Sequence, residues 1–371
     1  MLVCILLFII YIFFILLCLY TTTNLKPQII HSQTNDGISI IVAIRNGESS
    51  LPNLINFLKK QDYSGPIEFI LVDDESNDKT GNIILEASRS DSRFRYYSSN
   101  QGDILLSHKK KALDLGIQNA KYNNLLFTDV DCLIPPTWVS SMSSYFSNGY
   151  NYLVGPSIVD SKNKVNSISR FQRIDFLLLM IICRASSYFG YPLASSGQNQ
   201  GFTKALYLKV GGFIEIKSFI GDDTAFLQHC SNIGCRACFV DDKSAIIFSR
   251  KELKISNFIY QRIRWVSDAN KLWKLNFKFF TVIFLSFIFY ISFPVLIIYN
   301  MTNYLIIILI ISIKILNEYV LLSIGSKYFN VKISIYEFIL WQIFHIPYII
   351  VVGIMSYFSR YLLWRGRKIN C

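Results

Sequence analysis

Three pairs of aspartates in the middle of this 371-residue chain are candidates for chemistry, and each stands where an apolar run or a turn ends. An isolated pair of aspartates in a loop is usually a solvated turn, but here lysines 109–111 lie between the first pair and the second. Carboxylates bind Mg²⁺ or Mn²⁺, and such a metal can bridge a diphosphate whose charge lysines also offset. The combination points to a phosphorylated substrate. The pairs are Asp73 with Asp74, Asp129 with Asp131, and Asp222 with Asp223.

Short apolar runs predict the elements that must position these aspartates. Ile38–Ala43 (ISIIVA), Ile67–Val72 (IEFILV) and Asn123–Thr128 (NNLLFT) read as buried strands, with helical spacing in LPNLINFLKKQ after the first. The alternation predicts an α/β fold with a parallel sheet and helices on both faces, in which ligands bind at the carboxyl ends of the strands. The i,i+2 spacing of Asp129 and Asp131 then places both carboxylates on one side of the chain.

The third acidic pair stands at a predicted helix start. In FIGDDTAFLQHC, Asp222 and Asp223 precede an amphipathic stretch, where a carboxylate can cap the helix. Capping would explain one of the two without any chemistry. If a sugar is transferred from a diphosphate, one carboxylate suffices to deprotonate the acceptor hydroxyl, and Asp223 is the candidate base.

Composition indicates a domain held between membrane segments. A mean hydropathy of +0.35, with 52% hydrophobic and 17% charged residues, excludes both an ordinary soluble protein and a bundle of pure spans. Leu2–Tyr20 is long enough to cross a bilayer and lacks the charged start of a signal peptide, so we expect an uncleaved anchor. Three further apolar stretches are Phe284–Tyr299, Tyr304–Leu322 and Phe338–Phe358; the second holds Lys314 and Glu318, which could pair at i,i+4.

The distribution of charge gives two conflicting indications of topology. Lys26 is the first charge after the anchor, so the positive-inside rule places the chain from residue 26 onward in the cytoplasm. One anchor and three spans would leave the basic tail RYLLWRGRKINC outside, although its own charges favour inside. One of the three distal stretches is therefore expected to be interfacial or re-entrant, and the last, with Glu337 and Pro347, makes the weakest simple helix.

The remaining features argue against other classes of protein. A net charge of +12 suits anionic lipid or phosphates, but the basic residues are dispersed and no nucleic-acid motif appears. HCSNIGCRAC, which holds His229, Cys230, Cys235 and Cys238, could be taken for a zinc cluster. A structural role is favoured, because CRACFV also reads as a strand with small buried side chains and zinc ligands normally come in regularly spaced pairs.

A series of motifs resembles the family 2 glycosyltransferases. SIIVAIRNGE, ILVDDESND, HKKKAL, FTDVDC, GQNQGF, GDD and QRIRW occur in the order and spacing of that family, from about Ile38 to Trp265. The resemblance is to the inverting, membrane-associated branch with the GT-A fold. It implies a nucleotide-diphosphate sugar as donor and Mg²⁺ or Mn²⁺ as cofactor.

The resemblance also implies roles for individual residues. Asp223 would be the general base, with Asp222 beside it, and Asp131 would bind the metal together with Asp129. Arg264 would bind the diphosphate and Trp265 would form a platform for the acceptor, although both could instead be an interfacial anchor beside a membrane span. The glycine that usually precedes the first lysine is His108 here, so the turn before Lys109 could differ in shape. The nucleotide-sugar residues would be Ala43, Arg45, Glu48, Asp74, Lys109 and Asp129, and the Q-x-x-R-W residues are Gln261, Arg264 and Trp265.

We therefore expect a bacterial inner-membrane enzyme, its catalytic domain in the cytoplasm, that transfers a sugar, most simply from a UDP-sugar, to a lipid or lipid-linked glycan. The alternatives are a processive polysaccharide synthase, a nucleotidyltransferase, and a non-catalytic membrane scaffold. The small number of C-terminal spans argues against the polysaccharide synthase. The Q-x-x-R-W motif argues against the nucleotidyltransferase, and the complete set of acidic sites argues against the scaffold. The expected boundaries are 1–22 anchor, 23–37 linker, 38–255 GT-A domain, 256–276 junction, and 277–371 apolar helices with a basic tail.

Overall fold

The structure is a computed structural model that describes residues 2–25, 30, 35–160, 165–299, 304–358, 363–364 and 367–368. Most of the expected linker 23–37 and most of the basic tail lie outside the described residues. The chain divides into two compact units. The sheet unit comprises Pro27–Asp160 and Ser186–Arg250, and the helical unit comprises Met1–Lys26, Ser161–Ala185 and Lys251–Cys371.

A seven-stranded sheet in the order β3-β2-β1-β4-β7-β5-β8 forms the centre of the sheet unit. The first four strands in that order are parallel, as predicted, but β7 is antiparallel to both neighbours, so the whole sheet is mixed. A separate parallel pair joins β6 to β9. The strands are β1 Ile38–Ile44, β2 Ile67–Asp73, β3 Phe94–Ser98, β4 Asn124–Phe127, β5 Tyr152–Val154, β6 Ser157–Val159, β7 Gln200–Thr203, β8 Ala237–Phe239 and β9 Ile247–Ser249.

Helices between the strands of this unit bury apolar faces against the sheet. Strand β1 is a run of β-branched residues buried along nearly its whole length, as a central strand covered on both faces requires. Pro52 lies at the start of the helix Leu51–Lys59. It costs no hydrogen bond there, since the first amides of a helix have no intrahelical partner. The helices are α2 Leu51–Lys59, α3 Thr80–Ser90, α4 His108–Gln118, α5 Trp138–Ser147, α7 Lys204–Lys209 and α8 Thr224–Asn232, with 3₁₀ turns at Ser99–Gln101, Gly212–Ile216 and Lys243–Ala245.

Long helices form the helical unit, and four of them have stretches long and apolar enough to cross a membrane: Cys4–Asn24, Phe277–Val295, Tyr304–Tyr328 and Ile335–Ser356. The last of these was expected to make the weakest helix, yet it is continuous through Pro347 and begins with a capping box between Ser334 and Glu337. The helices are α1 Leu2–Asn24, α6 Ser167–Tyr188, α9 Ile255–Ala269, α10 Phe277–Tyr299, α11 Tyr304–Tyr328 and α12 Ile335–Ser356, with a 3₁₀ turn at Leu272–Lys274 and the short strands β10 Leu363–Trp364 and β11 Arg367–Lys368.

One segment inside the expected GT-A domain 38–255, Ser161–Ala185, packs with the helical unit. The expected domain boundaries stay predictions. The apolar run FLLLMIIC within this segment is part of the 22-residue helix α6, which is amphipathic rather than uniformly apolar. Its polar residues, among them Arg173 and Asp175, find buried partners on other helices of the same unit.

Candidate active site

The acidic pairs occur where the sheet predicts a ligand site. Strands β2, β1 and β4 are adjacent and parallel, so their carboxyl ends meet at one edge. Asp73 is the last residue of β2, and Asp129 and Asp131 follow the end of β4. The side chains of Asp129 and Asp131 are both partly exposed, whereas Asp74 is buried.

A lysine from α4 joins the second acidic pair to the third. Nζ of Lys109 lies 2.9 Å from Oδ1 of Asp129 and 3.3 Å from Oδ1 of Asp222. Asp222 is almost fully buried, and its Oδ2 has no hydrogen-bond partner among the described residues. We call Lys109, Asp129, Asp222 and Asp223 the strand-end cluster. Burial alone would lower the pKa of Lys109, but the carboxylates of Asp129 and Asp222 raise it above its ordinary value.

Asp223 caps helix α8, as the sequence suggested for one member of its pair. Its Oδ1 accepts a hydrogen bond from the amide of Thr224 at 2.6 Å, and its Oδ2 accepts one from the amide of Gly197 at 3.0 Å. Burial and the neighbouring Asp222 carboxylate raise the pKa of Asp223 to about 6, although these two amides and Lys109 act in the opposite direction. A carboxylate with this pKa can accept a proton near neutral pH.

The motif GQNQGF places its first glycine directly against the cluster. A methyl group on Gly197 would lie 2.9 Å from Oδ2 of Asp222 and 3.1 Å from Nζ of Lys109. Only a residue without a side chain allows the backbone to approach this closely and to donate its amide to Asp223. The close packing around the site therefore explains why residue 197 is a glycine.

The turn before Lys109 keeps a backbone conformation that favours glycine. His108 has φ of +55°, in the left-handed region. The histidine at this position therefore does not remove the turn, and Lys109 still reaches the carboxylates. The cost of a left-handed conformation for a residue other than glycine is about 1–2 kcal/mol.

Three of the predicted nucleotide residues, Arg45, Glu48 and Asp74, lie in the loops that follow β1 and β2. Nη1 of Arg45 donates to the backbone oxygens of Asp74 and Glu75 at 2.9 and 3.1 Å. The amide of Lys79 donates to Oε2 of Glu48 at 3.3 Å, and Oγ of Ser99 lies 3.5 Å from Oδ1 of Asp74. Arg45 and Glu48 thus fasten the two loops to each other. Ala43 is the one partly exposed residue of β1.

The donor set fits a metal that relies on substrate oxygens. Within the described residues, no group of three or more His, Cys, Asp or Glu side chains could hold a metal, and this includes the cysteines around His229. Asp129 and Asp131 offer hard oxygen ligands at the end of β4. Mg²⁺ is typically bound by one or two carboxylates and completed by phosphate oxygens and water, so these residues suit a metal bound together with a diphosphate.

Sequence reasoning missed the role of the second lysine of HKKKAL. Lys110 is buried, and its ammonium donates to the backbone oxygens of Ile216, Lys217 and Phe219. These carbonyls belong to the segment that leads into Asp222 and Asp223. Adjacent lysines on α4 thus divide two tasks: Lys109 contacts the carboxylates, and Lys110 fixes the chain that carries two of them. Nothing in the order of the three lysines distinguishes these tasks.

The Q-x-x-R-W residues lie on α9, in the helical unit. Arg262, between Gln261 and Arg264, is almost fully buried, and its guanidinium stands 4.1 Å from the ring centroid of Trp265. Trp265 is partly exposed, and the ring of Phe176 lies 6.1 Å from its own. Oε1 of Gln261 has no hydrogen-bond partner among the residues that the structure describes. The roles assigned to Gln261, Arg264 and Trp265 stay predictions.

Residues 39–211 match the family described as Glycosyl transferase family 2. This part of the chain is a family 2 glycosyltransferase domain. The match spans the loops after β1 and β2, Lys109, both aspartates of D-x-D and the glycine-rich turn. It therefore confirms the family that the motifs indicated.

The solved structures support the same fold. A mannosyltransferase from Pyrobaculum calidifontis, determined in complex with GDP-Man and Mn²⁺, superposes with a TM-score of 0.60, covering 96% of this chain and 99% of that one at 14% identity. At that level of identity the likeness shows the fold. It confirms the predicted GT-A architecture.

Relatives by sequence share a shorter region. An undecaprenyl-phosphate 4-deoxy-4-formamido-L-arabinose transferase from Shewanella sediminis is 29% identical over 126 residues, which is 33% of this chain and 36% of the relative. A 4,4'-diaponeurosporenoate glycosyltransferase from Staphylococcus haemolyticus is 34% identical over 99 residues, 27% of this chain and 25% of the relative. The chain spans between a quarter and about a third of the lengths of these relatives.

Proposed function

We propose that this protein is a membrane-bound inverting glycosyltransferase that transfers a sugar from a nucleotide-diphosphate sugar to a lipid or lipid-linked glycan. The observation that carries the proposal is the convergence of four family motifs on the strand-end cluster. D-x-D, HKKKAL, GQNQGF and GDD each contribute an atom within hydrogen-bond or ion-pair distance of another. These motifs are far apart in the sequence, and a site that handles a charged donor explains why they meet.

Asp223 acts as the general base in this proposal. Its carboxylate is held by the amides of Thr224 and Gly197, and its pKa of about 6 leaves it largely ionised at neutral pH. It removes the proton from the acceptor hydroxyl, and the oxygen attacks the anomeric carbon from the face opposite the nucleotide. The bond from that carbon to the diphosphate breaks, and the configuration inverts.

Lys109 and the D-x-D aspartates handle the diphosphate. Asp129 and Asp131 would hold a divalent metal, which when bound stabilises the negative charge of the departing nucleotide. Lys109 supplies a permanent positive charge beside Asp129 and lies at the end of the sheet where the donor is expected. We assign Asp74, Arg45 and Glu48 to the nucleotide-binding loops, and Arg264 to the diphosphate.

The names of the relatives and the apolar helices support an acceptor and a location. The names specify undecaprenyl phosphate for one relative and 4,4'-diaponeurosporenoate for the other. Four helices of this chain are long and apolar enough to span a membrane. We propose a polyprenyl phosphate or similar lipid as acceptor, a UDP-sugar as donor, and a bacterial inner membrane with the domain facing the cytoplasm.

Measurement of sugar transfer by the protein in a lipid bilayer tests this proposal. Full-length protein in nanodiscs is given a panel of UDP-sugars and GDP-mannose with undecaprenyl phosphate, in the presence of Mg²⁺, Mn²⁺ or EDTA. We expect metal-dependent transfer from one donor class. Asp223→Asn should lower kcat by about 10²- to 10⁴-fold, since it removes the base, while donor binding measured by calorimetry is retained.

An exposed aspartate of the same unit provides the matched control. Asp62 accepts a hydrogen bond from Ser140 at the surface, and Asp62→Asn should leave kcat unchanged. Full activity of Asp223→Asn would remove Asp223 as the base. Absence of both turnover and donor binding for every sugar would contradict the proposed function and favour a scaffold.

A further inference from the structure

An ion pair between α6 and α9 lies beside the tryptophan of Q-x-x-R-W. Nη2 of Arg262 is 2.8 Å from Oδ2 of Asp175, and the arginine side chain is 3% exposed. A buried guanidinium needs a charged partner, because desolvation is otherwise uncompensated. Asp175 provides that partner from a different helix.

The Arg262 guanidinium covers Trp265. Arg262 and Trp265 are three residues apart on α9, so their side chains are neighbours on the helix surface. The guanidinium carbon stands 4.1 Å from the indole centroid, a stacking distance, and 5.1 Å from the ring of Phe258. The indole thus has a planar cation packed on it and cannot rotate without displacing Arg262.

Helix α6 contributes a second contact to the same indole. Phe176, the residue after Asp175, has its ring centroid 6.1 Å from that of Trp265, with an angle of 46° between the ring planes. One turn of α6 therefore holds the tryptophan twice, directly through Phe176 and through Arg262 by way of Asp175. Trp265 itself remains partly exposed.

We propose that Asp175 and Arg262 are positioning residues that set the plane of the Trp265 indole, on which the lipid-linked acceptor stacks. The inference rests on the acceptor role of Trp265 in the proposed function. It adds an acidic residue outside every motif of the sequence, and it gives a task to the arginine at the first variable position of Q-x-x-R-W. A planar, always charged group is suited to this task, whereas a lysine at position 262 would offer only a point charge.

The low exposure of the pair, 3% for the Arg262 side chain and 19% for that of Asp175, supports a fixed geometry. Withdrawal of Asp175 from water raises the pKa of its carboxyl group, and the charge of Arg262 partly offsets this. The pair therefore depends on both partners being present. Loss of either charge frees the other side chain to move away from the indole.

Spectroscopy and kinetics of full-length variants test the inference. Asp175→Asn and Arg262→Lys should each reduce the near-UV circular dichroism of Trp265, taken as the difference from Trp265→Phe in the same background. Each should also raise the KM for undecaprenyl phosphate about tenfold while kcat and the donor KM change by less than about twofold. In the Trp265→Phe background, Asp175→Asn should have no further effect on the acceptor KM.

A second ion pair of α6 provides the control. Arg173 pairs with Glu337 of α12, and among the described contacts neither side chain touches the Trp265 ring. Arg173→Lys should leave the Trp265 signal and the acceptor KM unchanged.

Three outcomes would overturn the inference: an unchanged Trp265 signal in Asp175→Asn, an unchanged signal and acceptor KM in Arg262→Lys, or an Asp175→Asn effect that persists without Trp265. If the wild-type protein transfers no sugar at all, the proposed function fails, but the spectroscopic comparison still decides whether Asp175 and Arg262 orient the indole.

Discussion

Two lysine–carboxylate clusters in this protein differ in exposure, in charge balance and in hydrogen bonding. In the strand-end cluster the Lys109 side chain is 35% exposed, and one lysine faces the carboxylates of Asp129, Asp222 and Asp223. In the helical unit, Lys314 and Glu318 pair at 2.7 Å with side chains 2% and 0% exposed. The first cluster has excess negative charge and an outlet to solvent, and the second is neutral and closed.

Hydrogen bonding separates the two clusters further. Tyr11 of α1 donates to Oε1 of Glu318. Lys314, on the same helix as Glu318, and Gln342, on α12, both donate to Oε2. Glu318 thus ties three helices together with both oxygens satisfied, as a buried charge among apolar helices requires. By contrast, Oδ2 of the buried Asp222 has no partner among the described residues. Unbalanced charge and an unused acceptor are typical of a binding site, and full balance is typical of a structural role.

The largest expected effect is on stability, at the closed cluster. Glu318→Gln leaves the Lys314 ammonium buried without its counter-ion, so we expect the free energy of unfolding to fall by about 3–5 kcal/mol. Denaturant titration in mild detergent, followed by far-UV circular dichroism, measures this change. The double substitution Lys314→Met with Glu318→Leu should recover most of the loss, because it removes both charges. A stable Glu318→Gln protein would mean that this cluster is not closed.

The next effect concerns activity at the open cluster. Lys109→Met removes the cation that holds down the pKa of Asp223, so this pKa should rise above about 6. The acidic limb of kcat/KM against pH should move to higher pH, and the rate at neutral pH should fall by roughly 10- to 100-fold. Lys111→Met, two residues along the same helix, is the matched control and should keep the wild-type profile. An unmoved limb would show that Lys109 does not act on the base.

Asp222→Asn should shift the same limb in the opposite direction. The Asp222 carboxylate raises the pKa of Asp223, and its removal should bring the limb below about pH 6. Because the folded-state pKa of Asp223 is raised, its contribution to stability is present below about pH 4 and is lost as pH rises through about 6. Asp222→Asn should lessen that loss and raise the free energy of unfolding at pH 8 by about 1 kcal/mol.

Unfolding curves of Asp222→Asn at pH 4 and pH 8 give its free energy of unfolding, which can be compared directly with that of Glu318→Gln. The same chemical change, carboxylate to amide, is expected to stabilise the protein at Asp222 and to destabilise it at Glu318. Destabilisation by Asp222→Asn at pH 8 would contradict the idea that the strand-end cluster holds excess charge.

Local sequence patterns predicted some of the residues and contacts in each cluster. The other contacts join segments that are far apart in the sequence, and these were not predicted. The strand that precedes Asp129 follows from the apolar run NNLLFT, and the pairing of Lys314 with Glu318 follows from their i,i+4 spacing. The donation from Tyr11 to Glu318 spans 307 positions, so no local pattern could show it. The same limit hid the Asp175–Arg262 pair and the antiparallel strand β7. The ligand roles of Asp131, Ala43 and Gln261 stay predictions from the family resemblance.

The smallest effect concerns two turns that contain a left-handed residue other than glycine, one just before Lys109 and one after the end of α11. His108 has φ of +55° before Lys109, and Asn330 has φ of +54° after α11. Relief of about 1–2 kcal/mol of strain, less about 0.5–1 kcal/mol for the added freedom of the unfolded chain, should make His108→Gly more stable by about 0.5–1 kcal/mol. Asn330→Gly should gain less, because asparagine tolerates this conformation at helix ends. Thermal unfolding checks both, with His108→Ala as a control that keeps the strain, and an equal gain at the two turns would show that residue type does not set the cost.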